Sequence, residues 1–379
     1  MTAIRNALVV GAGIGGLTAA IALGRRGIEV EVVEIKPEMS VYGVGIIQPN
    51  NTLRALDQIG VAKACVEAGA PYPGWRICDA AGNLLMEAPS GSEAAPEYPP
   101  NNGITRPLLH DILTDAAVAA GAKIRFGSTI DSFEDGPTGV DVQLTTGERS
   151  RYDLVVGCEG LYSTFRRRLF GDAHEPKFTG QGVWRYNLPR PHDMEWGALF
   201  EGPDSKVGFV PLSPTMMYML IVTVEAGNPR FAGAQMAEEM RKRLASYSGI
   251  VAELKPLITD PEAVVYRPLE TMLLPGPWMK GNIILIGDAA HATTPHLAQG
   301  AAMAIEDAVL LGELMGRDAP VSDLLEEFMS RRFDRAKFVV DSSVQIGTWE
   351  MEAWRGIQNP DAHPGALLHS ATLALMKPY

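Results

Sequence analysis

Residues 7–34 leave the chain little choice. An apolar run at 7–10 is followed by Gly-Ala-Gly-Ile-Gly-Gly at 11–16, and small and apolar residues then continue at helical spacing through Arg25. A second apolar strand at 30–33 ends on Glu34. Strand, glycine turn, helix and a strand with an acidic end make the βαβ pattern that holds a dinucleotide. Gly11 permits the tight turn, Gly13 lets backbone approach a pyrophosphate, and Gly16 lets helix and strand pack closely. Gly15, Ile35 and Lys36 fall on the same rim. The Glu34 carboxylate suits ribose hydroxyls and disfavours a ribose 2'-phosphate.

A second turn of this kind lies at 281–308, reading GNIILIGDAAHATTPHLAQGAAMAIEDA. The apolar run at 283–286 is long enough for a strand buried on both faces and too short for a helix. It stops at Gly287-Asp288; small residues, Pro295 and Gly300 follow, and helix formers keep an apolar face from 301 to 316. Such a crossover turns backbone amides and the positive end of a helix towards a ligand. Asp288, at the strand end, is placed to accept from ligand hydroxyls rather than to act as an acid or base.

Between the turns the chain changes character. A loop at 43–51 precedes a helix at 52–59, with Leu53, Leu56 and Ile59 on one face. Short strands and a hairpin at Gly82-Asn83 follow, then a proline-rich loop at 96–102. Arg106 opens a helix carrying Leu109, Ile112, Leu113, Ala116 and Ala120 on one face. Residues 123–156 read as a β-meander, and Arg166-Arg167-Arg168 as a solvated helix face. Residues 181–269 predict a mainly antiparallel sheet with strands at 207–210, 217–224 and 263–267 and one helix at 233–247. Trp184, Arg185, Tyr186, Phe209 and Tyr218 offer aromatic and cationic surface there, although most aromatics in such strands are core. A last helix is expected at 367–375, with a covering or dimer role.

Bulk properties exclude several classes. A net charge of -12 over 379 residues argues against nucleic acid or an anionic membrane as partner, so positive potential for an anionic substrate must be local. No apolar run approaches the roughly 20 residues of a spanning helix. Cys65, Cys78 and Cys158 are odd in number and lack metal-like spacing, which fits a reducing cytoplasm. The seven histidines form no paired-ligand pattern, so no metal is expected.

The two turns and their order resemble the class A FAD-dependent monooxygenases, the flavoprotein aromatic hydroxylases of the salicylate, 3-hydroxybenzoate and 6-hydroxynicotinate hydroxylase kind. Four matches over residues 1–340 carry the resemblance: GAGIGG with Glu34, GVGIIQPNNTLRAL from Gly43, Arg106 in RPLLHDIL, and GDAAHATTPHLAQGAA. One departure is DLVVGCEG from Asp153, where Glu159 stands in place of the family's aspartate. The resemblance implies an α/β fold: a Rossmann-like FAD-binding domain (1–73, 101–180, 276–340), an inserted mainly antiparallel β-sheet substrate domain (74–100, 181–275) and a C-terminal helical segment (341–379). It implies noncovalent FAD, NADH or NADPH as a transient reductant without its own Rossmann domain, and O2. The substrate would be a small, anionic phenolic or hydroxypyridine-type aromatic compound, hydroxylated through a flavin C4a-hydroperoxide by a monomer or homodimer. The cofactor set then extends to Gly45, Arg106, Asp288, Pro295, Gly300 and Ala301, and the substrate set is Ile47, Arg185, Phe209, Tyr218, Pro295 and His296.

Two of these residues carry chemical expectations. Arg185 offers the local positive charge for an anionic substrate group, with a flavin-facing structural arginine as the equal alternative. His296 is the candidate catalytic group: a phenol ionises near pH 10, and an imidazole near the reactive face can take that proton or hold the oxygen. A non-oxygenating FAD-dependent dehydrogenase, oxidase or reductase on the same fold is the alternative function. A non-enzymatic binding module would leave the polar crossover at 293–299 without a use.

Overall fold

The computed structural model describes residues 4–40 and 43–379. Its first layer is a six-stranded sheet in the order Met279–Lys280, Ile283–Leu285, Leu154–Gly157, Asn6–Val10, Glu29–Glu34, Lys123–Phe126. All neighbours are parallel except the short Met279–Lys280 strand, which is antiparallel. The run at 7–10 pairs with 30–33 on one side and 154–157 on the other, so it is central and buried on both faces, as its unbroken apolar sequence requires. Helices Ile14–Gly24, Arg106–Ala119 and Gly300–Met315 belong to the same hydrophobic core.

The expected meander at 123–156 is divided. Ile130–Gly136, Gly139–Leu144 and Arg149–Tyr152 form a three-stranded antiparallel sheet, while Lys123–Phe126 and Leu154–Gly157 join the parallel sheet on either side of it. A further small sheet joins Gly45–Pro49, Asn101–Thr105 and Ala70–Tyr72. Part of the proline-rich loop is therefore a strand.

The second domain is a seven-stranded sheet in the order Val265–Leu273, Lys177–Pro189, Met216–Val224, Ser205–Pro211, Gly197–Glu201, Gly74–Asp79, Leu84–Pro89. Only the Gly197–Glu201 and Gly74–Asp79 pair is parallel. Alternation along the strands gives the sheet two unlike faces. Trp184, Tyr186, Phe209, Met217, Met219 and Ile221 pack with residues of the helices Met236–Lys242 and Gly249–Leu254. Val183, Val210, Tyr218 and Val222 lie on the other face, where the Asn187 amide donates to Gly43 O at 2.8 Å and so meets the first domain. The expected helix at 233–247 is shorter, a 3-10 turn at Gly233–Gln235 and an α-helix only at Met236–Lys242.

A 34-residue helix, Val321–Trp354, runs unbroken across residue 340, where the C-terminal segment was expected to begin. Leu324, Leu325 and Phe328 at its start join the core around the six-stranded sheet, and Trp354 at its end packs with Val183, Val222 and Leu269 of the seven-stranded sheet. The last helix, Pro364–Met376, lies against this one. No helix among the described residues is long and apolar enough to cross a membrane, and no group of ligand-type side chains among them could hold a metal.

Candidate cofactor and substrate site

The first turn is built for close backbone contact. Gly11 has φ +104°, and a Cβ there would lie 2.7 Å from Cys158 O; a Cβ on Gly16 would lie 1.9 Å from Gly11 O. A Cβ on Gly13 would meet nothing within 4 Å, so this is the open side of the turn. The helix Ile14–Gly24 begins there without a side-chain cap, leaving its first amides for a ligand. Glu34 accepts from Ala12 N at 2.9 Å and Lys36 N at 3.0 Å. Two amides thus fix the carboxylate and leave acceptor capacity for ribose hydroxyls. Ile35 is 70 % exposed beside it, an apolar surface of the kind an adenine needs, and the Lys36 ammonium is turned to Ser40 O at 2.9 Å. His110 Nε2 stands 2.8 Å from Ala12 O and steadies the turn from behind.

The second turn is pinned from beneath. Gly287 N donates to Asp307 Oδ2 at 2.9 Å, His291 Nε2 lies 2.6 Å from the same oxygen, and Arg332 Nε donates to Oδ1 at 2.7 Å. Burial alone would raise the Asp307 carboxyl, but His291 and Arg332 outweigh it and hold the group down to about 2. His291 is therefore an orienting residue. Asp288 makes no hydrogen bond or ion pair to the described residues. Surrounding protein raises its pKa against the opposing pull of His291 and Arg106, yet the residue is exposed, which places its carboxylate in an open cleft.

The loop between this turn and the next helix is also clamped. Ala298 adopts a left-handed conformation, φ 55°, which costs an L-residue something and must be held. Gln299, next in sequence, exchanges hydrogen bonds with Asn51 at 3.0 and 3.1 Å, and Asn51 also donates to Glu306 at 3.0 Å. Helix Gly300–Met315 starts here with no side-chain cap, so Gly300 and Ala301 present free amides. Its Ala304 Cβ would touch a Cβ on Gly15 at 3.4 Å and one on Gly287 at 2.9 Å. Both helix starts therefore open on one cleft, and the donor set fits FAD: a glycine turn for pyrophosphate, Glu34 for the adenosine ribose, Asp288 for a hydroxylated chain and a helix start for the ring's electron-rich edge.

Across the cleft, Arg106, Arg185 and Tyr218 converge. Burial and then Arg106 lower Arg185 to about 10, with Tyr218 opposing; burial raises Tyr218 against the pull of both arginines. Neither guanidinium is hydrogen-bonded or ion-paired to the described residues. A Cβ on Gly45 would lie 2.2 Å from Tyr218 Cδ1, so the tyrosine ring lies directly against that glycine. Ile47, Val210, Leu212 and Leu220 complete an apolar wall around it.

Three expectations are corrected. Phe209 belongs to the core on the helix-covered face, 2 % exposed; it pairs with Met219, and its neighbour Val210 has the cleft-facing parity. His296 follows Pro295 in the turn Pro295–Leu297, but its side chain is 1 % exposed: Nδ1 is hydrogen-bonded at 2.9 Å to Thr294 Oγ1, and Nε2 lies at ion-pair distance, 3.2 Å, from Glu350 Oε2. It ties the loop to the long helix instead of facing the cleft as a free base. Arg166 is not solvated but 1 % exposed, donating to Ala289 O at 3.2 Å and Leu161 O at 2.9 Å. Glu159 caps the helix Thr164–Phe170, accepting from Ser163 Oγ at 2.7 Å and Phe165 N at 2.8 Å. Asn51, Gln299, Asp307 and Arg332 were not anticipated; the polar Gln299 inside an otherwise small and apolar stretch was the available signal.

Comparison with known proteins agrees with this geometry. The model of the FAD binding domain family matches residues 5–343. The putative FAD-dependent monooxygenase YetM of Bacillus subtilis is 32% identical over 345 residues, covering 90% of this chain and 93% of that protein. The 3-hydroxybenzoate 6-hydroxylase of Polaromonas naphthalenivorans is 31% identical over 354 residues, covering 90% and 86%. The solved structure of a tetrameric 2-methyl-3-hydroxypyridine-5-carboxylic acid oxygenase superimposes with a TM-score of 0.77 at 26% identity, covering 98% of each chain. These likenesses favour oxygenation over the dehydrogenase, oxidase or reductase alternative. Two dinucleotide turns meeting at one cleft, and relatives of this kind along nearly the whole length, place the chain in the class A FAD-dependent monooxygenases.

Proposed function

We propose that this monooxygenase hydroxylates a small, anionic phenolic or hydroxypyridine-type aromatic compound. The observation that carries the reading is Arg185, a guanidinium beside Arg106 and Tyr218 with no carboxylate partner among the described residues. A phenolate or carboxylate relieves the repulsion between two cations in a low-dielectric site, which a neutral ligand does not. Two of the similar proteins support this, since 3-hydroxybenzoate and the hydroxypyridine carboxylic acid are both anionic hydroxylated rings.

FAD, when bound, supplies hydride acceptance from NADH or NADPH and activation of dioxygen. The reaction balances as NAD(P)H, a proton, O2 and the aromatic C–H going to NAD(P)+, water and the phenol. The chain's own residues bind and orient. Glu34 and Asp288 fix the cofactor's hydroxylated parts, and Gly300 and Ala301 amides stabilise negative charge on the ring. Arg185 holds the substrate anion, and Ile47, Leu212 and Leu220 exclude water from its ring. The exposed Leu84, Leu85 and Met86 on an edge strand favour a homodimer over a monomer, and three free cysteines favour a cytoplasmic setting.

The test is stoichiometry with a panel of hydroxybenzoates and hydroxypyridine carboxylates. Oxygen uptake should match hydroxylated product for at least one anionic member and fall for its amide or ester. NAD(P)H oxidation that yields only hydrogen peroxide across the whole panel would overturn the reading.

A further inference from the structure

We infer that a second recognition site, for the hydrogen-bonding edge of a planar amide, lies between the seven-stranded sheet and the long helix, with Gln181 as its reader. A cavity of about 190 Å³ is enclosed there by the Lys177–Pro189 strand, Thr271 of the next strand, the cofactor loop at Thr294 and His296, and Gly347 and Thr348 of the helix. Gln181 in its wall is 0 % exposed, and neither its amide oxygen nor its amide nitrogen has a hydrogen-bond partner.

The threonines of the wall already have partners. Thr179 donates to Leu269 O at 2.9 Å, Thr271 to Ala292 O at 3.1 Å and Thr348 to Val344 O at 3.0 Å. Thr294 and His296 bond each other, while His296 Nε2 lies 3.2 Å from Glu350 Oε2 without a hydrogen bond to it. Gln181 thus offers an unspent donor and acceptor side by side in the wall. A cis-amide edge, N–H next to C=O, is the complement of that pair whichever way the glutamine amide is turned.

Gly347 makes the room. A Cβ there would lie 2.6 Å from Gln181 Oε1 and 2.8 Å from His296 Cε1, so any larger residue would press the amide out of place. The wall formed by Thr294 and His296 is the cofactor loop itself, so an amide bound here lies beside the redox site. Two sources supply that edge: the carboxamide of the nicotinamide reductant, or the lactam edge of a pyridone-type substrate. The second rests on the proposed hydroxylase function.

The experiment compares ligands on the oxidised holoenzyme without turnover, so it is independent of whether hydroxylation occurs. Binding of nicotinamide against N,N-dimethylnicotinamide, and of 2-pyridone against N-methyl-2-pyridone, is measured by saturation-transfer NMR. One N–H compound should bind about tenfold or more tightly than its N-methylated partner, because a site built to pair an N–H rejects the analogue lacking it. Gln181→Leu should abolish that preference with FAD still bound. Gly347→Ala, which favours the helix but crowds the amide, should abolish it too and decides the matter should Gln181→Leu fail to hold FAD. A preference confined to nicotinamide assigns the reductant; one confined to 2-pyridone assigns the substrate. No preference in the wild type, or a preference that survives in the variants that retain FAD, overturns the inference and leaves Gln181 satisfied by water only.

Discussion

Asn51 and Gln299, 248 positions apart, exchange two hydrogen bonds in a buried site. The pair joins the helix Asn50–Gln58 to the first residue before helix Gly300–Met315, and so sets where the latter's free amides point. Losing either partner leaves the other's buried amide oxygen without its donor, at about 1–3 kcal/mol. A double-mutant cycle of Asn51→Ala and Gln299→Ala should return a coupling of about 0.5–3 kcal/mol in unfolding free energy. Each single variant should also bind FAD more weakly. Additive losses would show that the two amides act independently.

Glu34→Ala should lower FAD affinity by about 1–3 kcal/mol, the worth of a carboxylate's bonds to ribose hydroxyls. Fluorescence titration of the apoprotein reads it directly. Unchanged affinity would remove Glu34 from the cofactor site.

Asp307 carries a pH dependence of known sign. Its carboxyl is held at about 2 against an ordinary 3.8, so its ionised form is favoured by folding. The stabilisation is complete above pH 4 and lost as pH falls through the interval towards 2. Asp307→Asn leaves Arg332 and His291 short of their counter-charge, and breaking such a buried pair costs about 3–5 kcal/mol. The gap in unfolding midpoint between wild type and Asp307→Asn should therefore be widest near neutrality and shrink in acid. A gap that stays constant down to the acid limit would contradict the assignment.

Arg185→Met should raise the KM for an anionic substrate much more than the KM for NAD(P)H. Equal effects on both would favour the flavin-facing alternative.

His296→Ala and Glu350→Gln should share one phenotype. Glu350 is partly buried between Lys206 and His296; burial would raise its carboxyl, but these partners hold it at about 2, so it stays charged through the working range. Either change frees the cofactor loop from the long helix, and both should divert NAD(P)H oxidation towards hydrogen peroxide to a similar extent. Loss of a pKa from the pH–rate profile in His296→Ala, but not in Glu350→Gln, would restore His296 as the proton acceptor.

The two glycine turns and the strand end at Glu34 were legible because each rests on local pattern. A turn demands glycine, whereas Arg185 and Tyr218 stood out by residue type alone, since 216–224 is almost continuously apolar. Phe209 was misassigned because residues 207–212 are almost continuously apolar, with no polar face to set the parity. Arg166 looked solvated because an arginine run reads as surface, whereas the first turn of its helix faces inward onto carbonyls. The Asn51–Gln299 pair and the Asp307–Arg332 pair join segments far apart in the chain, and such contacts leave no periodicity to read.

The helix Val321–Trp354 bears on how this enzyme can move. At 1.5 Å per residue, its 34 residues span about 51 Å. One end is sunk in the core beneath the dinucleotide turns, and the other lies on the sheet that carries Arg185. A rod fastened to both lobes resists the hinge closure by which many two-domain enzymes admit and expel ligands. Ligand access therefore falls to local movements at the cleft rather than to closure of one lobe on the other.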